Sequence, residues 1–156
     1  MGFDLQTFTS IHTLVSLVAI AAGIVVVNDL LRATPSAAMT NLFLATSIFT
    51  SASGFGFPFT TLLPSHIVGA VALLVLAVVL VARFLRPAPR VEAAGLIASL
   101  YFLVFVAVAQ AFVKFPTLQA AAPTQSEPPF AIVQLAVLLL FVAIGYRVLR
   151  RPLRLA

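Results

Sequence analysis

No charged side chain occurs between Arg32 and Arg83. When charge returns it comes almost wholly as arginine, in patches at Arg83, Arg86 and Arg90 and at Arg147, Arg150, Arg151 and Arg154. A soluble domain carries about 25% charged residues, enough to clothe its surface in water. This chain has 8%, with 62% hydrophobic residues and a mean hydropathy of +1.18. Such a surface is solvated by lipid, and lipid leaves few choices. Every backbone N–H and C=O must be paired inside the chain, so the spanning element is a helix or a closed barrel. Apolar runs of about 20 residues, the length that crosses about 30 Å of hydrocarbon at ~1.5 Å per residue, select the helix.

Five such runs are legible, over residues 7–31, 39–57, 65–85, 92–113 and 130–148. Pro35 and Ser36 mark the first connection, Thr60, Thr61 and Pro64 the second, and Pro87 and Pro89 the third. A Pro-rich loop over residues 115–129 carries Pro116, Pro123, Pro128 and Pro129 and makes the fourth. The expectation is an all-α polytopic membrane helix bundle, one domain over residues 1–156, with five transmembrane helices. Threaded five times, the chain puts its eight arginines on one face and Lys114 on the other. Cytoplasmic loops hold an excess of Lys and Arg, which sets the N-terminus outside and the C-terminus in the cytoplasm. The weakest run is the second. Were it a re-entrant hairpin, four helices would span, the N-terminus would lie inside, and the basic residues would divide seven against two. Five spans are preferred on length, because loops beyond about 12–15 residues without structure are uncommon.

Several classes are excluded at once. The net charge of +5 sits where helices leave the lipid, so nucleic acid is not expected as a partner; the tail arginines are at most lipid-headgroup contacts. The absence of cysteine removes thiolate metal sites, iron–sulfur clusters and thiol catalysis. The start, Met1-Gly2-Phe3-Asp4, lacks the basic region of a cleaved signal, so the first run reads as a retained span. No nucleophile has a base and an orienting group nearby. Asp29 lies three residues before Arg32, the spacing of a helical ion pair. The chain is not expected to be an enzyme.

What remains is a set of polar residues at one depth. His12 lies 20 residues from Arg32, His66 20 from Arg86, and Gln110 20 from Arg90. At ~1.5 Å per residue each is roughly 30 Å from the arginine face, near the outer edge of the hydrocarbon. Gln134 enters from the same side, and Lys114 is one turn beyond Gln110 on the same helical face. His12, His66, Gln110, Lys114 and Gln134 are therefore the candidate ligand-binding residues, with Asp4 and Glu127 just outside them. Intramembrane ionisable residues suggest function by default. Two imidazoles on different helices suit bis-histidine haem b or a quinone carbonyl. Against that, an imidazole near the interface reaches water cheaply, and Ser65-His66 after Pro64 has the form of a helix start with Ser65 as N-cap. Structural zinc wants four protein ligands and is not expected. In the second run Thr46, Ser47, Thr50, Ser51 and Ser53 cover about 160° of arc at 100° per residue. That suits close helix packing or the lining of a polar pocket. Phe55, Phe57 and Phe59 are placed for the outer interface.

The stretch Thr50-Ser51-Ala52-Ser53-Gly54-Phe55-Gly56-Phe57-Pro58-Phe59, with Leu63-Pro64-Ser65-His66-Ile67-Val68-Gly69, has a second kind of content. So does Gln110-Ala111-Phe112-Val113-Lys114-Phe115-Pro116 followed by Ala122-Pro123-Thr124-Gln125-Ser126-Glu127-Pro128-Pro129-Phe130. Together these resemble an uncharacterised family of small bacterial inner-membrane proteins without assigned function. The resemblance covers most of the chain. It implies a bacterial cytoplasmic-membrane location and no catalytic residue.

The functional expectation is a non-catalytic accessory subunit or small-ligand or partner-binding bundle, using the outer polar cluster and the Pro-rich loop. The alternatives are a redox protein binding haem or quinone at His12 and His66, and a small oligomeric transporter or channel. The expected partners are the lipid bilayer and either further copies of the chain or a larger membrane complex. No resident cofactor is required by the sequence.

Overall fold

The computed structural model describes residues 4–57 and 64–153. Residues 58–63 (with Phe59, Thr60 and Thr61), the Ser65 side chain and Arg154 lie outside the described residues; α3 starts at Pro64, so Ser65 lies within the helix rather than at its N-cap. The chain is helical, with no strand among the described residues: α1 (Leu5–Arg32), α2 (Ala37–Ser53), α3 (Pro64–Leu80), α4 (Pro89–Lys114), α5 (Pro116–Ala121) and α6 (Pro128–Leu149). A 3₁₀ turn over Gly54–Gly56 prolongs α2, and a π turn over Val81–Leu85 prolongs α3. Four helices are long and apolar enough to cross a membrane: Leu5–Arg32, His66–Leu85, Pro89–Lys114 and Pro128–Leu149. Their outer faces agree with that reading. Leu14, Leu17, Ile24, Ile67, Leu74 and Leu139 are each more than half exposed, far more contiguous apolar surface than a water-soluble monomer carries.

Local chemistry sets the helix ends. Asp4 N-caps α1 by accepting from Gln6 N at 3.1 Å. At the other end Ala33 turns left-handed (φ 58°) and Thr34 N bonds Asp29 O at 3.0 Å, closing the C-terminus in a Schellman-like turn. Ser36 then caps α2 by accepting from Met39 N. The chain reverses between them and α2 runs back along α1. Ser53, at the far end of α2, meets His12 near the start of α1 at 2.8 Å. At ~1.5 Å per residue, α2 with its 3₁₀ extension has a length of about 30 Å.

The ends fix the direction of every rod. Arg151 Nη1 donates to Leu31 O at 2.6 Å, so α1 and α6 finish at one end of the bundle. Leu153 lies beside Pro89 and Arg90 at the start of α4, so the α3–α4 turn is at that end too. The described arginines therefore gather at one end, and Lys114 closes α4 at the other. Within this arrangement α2 runs back along α1 from one end of the bundle to the other.

α4 is the hub. Its buried residues Ala93, Gly95, Leu96, Ile97, Leu100 and Leu103 spread around most of its circumference, and it packs on α1, α3 and α6. Close approach at two points comes from glycine. A Cβ on Gly23 would lie 2.7 Å from both Leu100 Cδ1 and Phe43 Cε2, and one on Gly95 only 2.3 Å from Val79 Cγ2. By contrast α6 is buried only at Gln134, Phe141 and Val148. That seven-residue spacing is a single narrow seam, and Tyr101–Phe141 (5.8 Å) and Phe112–Phe130 (5.3 Å) fill it with aromatic edges.

Two expectations change. The connection before α6 contains a short helix, α5, which its prolines obscured in the sequence; Pro116 sits at the N-terminal position where its missing N–H costs nothing. The Asp29–Arg32 pair is not formed. The one ion pair among the described residues joins Arg83 Nη1 to Glu92 Oε1 at 2.5 Å, with side chains 8% and 5% exposed.

Candidate functional site

Toward the end opposite the arginines, four helices (α1, α3, α4 and α6) carry the expected polar residues. His12 is half-buried on α1, with Nδ1 2.8 Å from Ser53 Oγ. Its ring meets Phe57 edge-on at 5.1 Å, and Phe57 in turn packs on Phe8 at 4.9 Å. α4 packs on α1 and ends at Lys114 on this side of the bundle. His66 is buried on α3, against the Phe55 ring at 5.7 Å. Residues 53 and 57 thus serve His12 while residue 55 serves His66. The two imidazoles share the end of α2 but have different partners on it.

The glutamines separate. Gln134 is buried and donates through Nε2 to Phe105 O at 3.1 Å, while its Oε1 has no protein partner. Phe105 lies five residues before Gln110, so Gln134 is about 7 Å deeper than the histidine level. Gln110 is exposed, as is Lys114. The structure therefore sets His12 and His66 against one end of α2, leaves Gln110 and Lys114 exposed on α4, and places Gln134 deeper on α6. Among the described residues, no group of three or more His, Asp and Glu side chains is placed to hold a metal ion.

The hydroxyls of α2 divide by face. Thr46 bonds back to Leu42 O at 2.7 Å, and Ser53 to Thr50 O at 3.3 Å, both using carbonyls of their own helix. Ser47 and Thr50 are buried without a protein partner for their hydroxyl oxygens, and Ser99 on α4 is the same. Ser99 had no signal in the sequence, since one serine in an apolar run is unremarkable until its burial is known.

The Pro-rich loop is tied down. Gln125, with φ 60°, donates through Nε2 to Ala109 O on α4 at 2.8 Å. Ala122 is 1% exposed and supplies the apolar anchor. Phe115 is 60% exposed. Glu127 gathers the turn: Thr124 Oγ1 donates to it at 2.8 Å, Thr124 N at 3.2 Å and Ser126 N at 3.1 Å.

Partial desolvation pushes the Glu127 carboxyl up. The hydrogen bonds from the Thr124 hydroxyl and the Thr124 and Ser126 N–H groups outweigh it, and the net pKa falls below the ordinary 4.5. A lowered folded-state pKa contributes stability that is present above the unfolded value and lost as pH falls through the folded one. The loop should therefore resist protease near Gln125 at neutral pH, and cleavage should accelerate only as pH drops below about 4.5. An acid-stable protease assayed from pH 7 to 3 reads this; Glu127→Gln should remove the acid step. Rapid cleavage already at pH 7 would mean that the loop is not held. Asp4 is shifted the same way, by the Thr7 hydroxyl and then by the Gln6 N–H.

No family model, no curated protein and no solved structure matches this chain.

Proposed function

We propose that the protein is a non-catalytic bundle of a bacterial cytoplasmic membrane that crosses the bilayer five times and offers its outer end to a partner. The observation that carries this reading is the preformed loop. Gln125 ties it to α4 and Glu127 gathers its turn, yet Phe115 (60%), Val113 (53%) and Lys114 beside it are left exposed. An apolar side chain on a rigid platform beyond the membrane surface is a docking feature, since a partner need not order the loop to use it. The arginine end faces the cytoplasm by the positive-inside rule, which puts the N-terminus and the loop outside. α2 would make the fifth crossing. Of its polar residues Thr40, Ser47 and Thr50 are buried among neighbouring helices, and the Thr46 hydroxyl bonds a carbonyl of its own helix.

Single cysteines test the topology, because the chain has none of its own. Thr124→Cys should react with a membrane-impermeant thiol reagent in intact cells; Ala37→Cys and Ala88→Cys should react only after lysis. Labelling of Ala37→Cys from outside would sink the five-span reading. A photo-crosslinking residue at position 115 tests the docking surface. A discrete protein adduct supports it, and lipid adducts alone would reduce Phe115 to an interfacial side chain.

A further inference from the structure

The π turn at the basic end leaves a feature that the outer site does not use. Arg86 N bonds Val81 O and Ala88 N bonds Ala82 O, widening the end of the third rod. Arg83 is drawn inward to Glu92, while Arg86 and Arg90 stay exposed. Along this widened end runs an open apolar groove, lined by Ala77, Val78, Val81, Ala82 and Val91, with Arg86 as its one charged lining residue. A second groove, bearing Arg90, shares Ala88 and Val91 with the first. The two adjoin at Ala88 and Val91, with Arg86 lining the first and Arg90 the second.

From this juxtaposition we infer a binding site for one anionic phospholipid, with an acyl chain along the groove and the phosphate at Arg86 and Arg90. Three features select this occupant. Ala77 to Arg86 spans about 14 Å at ~1.5 Å per residue, close to the roughly 15 Å of hydrocarbon in one leaflet. The join lies at the start of α4, which has no side-chain cap, so its first-turn N–H groups add donors and a positive helix end. No acidic side chain pairs with Arg86 or Arg90 among the described residues: Glu92 is occupied by Arg83, Asp29 lies at this end in the last turn of α1 but makes no ion pair, and Asp4 and Glu127 lie at the opposite end. Val78, Val81 and Val91 are each more than 40% exposed, as a lipid-filled groove requires. The inference rests on the bundle lying in a bilayer, and holds whichever way round it is inserted.

The test uses the purified full chain in detergent, with native mass spectrometry and thermal unfolding as readouts. Phosphatidylglycerol should give one retained adduct per chain and raise the melting temperature; phosphatidylcholine with the same acyl chains should do neither. Arg86→Gln/Arg90→Gln should weaken phosphatidylglycerol binding about 30-fold, which is about 2 kcal/mol at 1.4 kcal/mol per tenfold, the worth of two arginines at a headgroup surface. Ala77→Trp should block the groove with both arginines in place. The same variants with Arg147→Gln in their stead should bind as the parent does. Equal binding of the zwitterionic lipid, equal stabilisation by inorganic phosphate alone, or undiminished binding by Ala77→Trp would overturn the inference. So would a dimer without lipid that Ala77→Trp dissociates, which would give the groove to a second copy of the chain. None of these results bears on labelling of Ala37→Cys or crosslinking at position 115, so the two readings fail separately.

Discussion

Glu92→Ala should cost about 3–5 kcal/mol of stability, the range for removing one partner of a buried ion pair. The Arg83 and Glu92 side chains are 8% and 5% exposed and bonded at 2.5 Å. Arg83 Nε already lacks a partner, so loss of the carboxylate would leave the whole guanidinium uncompensated. The cost belongs to that stranded charge rather than to the bond itself. Replacing both residues by methionine should therefore recover most of the loss. Titration of the purified protein from mild detergent into dodecyl sulfate measures both variants. A Glu92→Ala protein within 1 kcal/mol of the parent would show that water reaches Arg83 from the basic end and that the pair is not desolvated.

This pair also marks where the sequence stopped being informative. Arg83, Arg86 and Arg90 read alike as boundary arginines, because position along a helix gives depth but not azimuth. The π turn supplies the missing rotation. It changes the facing of residues after Val81, so that Arg83 turns to Glu92 across the Pro87–Pro89 turn. Nothing in a run of Val, Ala, Phe and Leu announces an i to i+5 bond. The same ignorance of azimuth explains the outer cluster. Counting from arginines puts His12, His66 and Gln110 at one depth, and His12 and His66 both contact one end of α2. Counting could not tell that His12 faces Ser53, that His66 faces Phe55, or that Gln110 faces outward.

The rods themselves were legible because their cause is local. Apolar length, Ser36 before α2 and Pro89 at the start of α4 act over a few residues. α2 was the weakest because hydroxyls lower its hydropathy. Their burial at Ser47 and Thr50 depends on which neighbours surround it. α5 was missed for the opposite reason. A stretch dense in proline reads as irregular, although Pro116 occupies the first helical position, where proline fits.

Gly95→Val should cost about 3 kcal/mol, at the upper end of the range for overpacking a core. Without a hydrophobic drive between helices in lipid, α3 and α4 hold together by the contact that small residues permit. A Cβ at position 95 would stand 2.3 Å from Val79 Cγ2, far inside contact distance. Val79 cannot turn aside easily, because it is fully buried and a helical valine has essentially one χ1 rotamer. The helices must part instead, and the Arg83–Glu92 bond at the same interface would be stretched with them. Val79→Ala should relieve the clash, so the double variant should be more stable than the sum of the two single losses predicts, by at least about 1 kcal/mol of coupling. Gly145→Ala is the control. A Cβ there meets nothing within 4 Å, and replacing a mid-helix glycine by alanine should gain roughly 0.5–1 kcal/mol. Equal effects of the Gly95 and Gly145 substitutions in the same unfolding assay would refute close packing of α3 on α4 as the bond between those two helices.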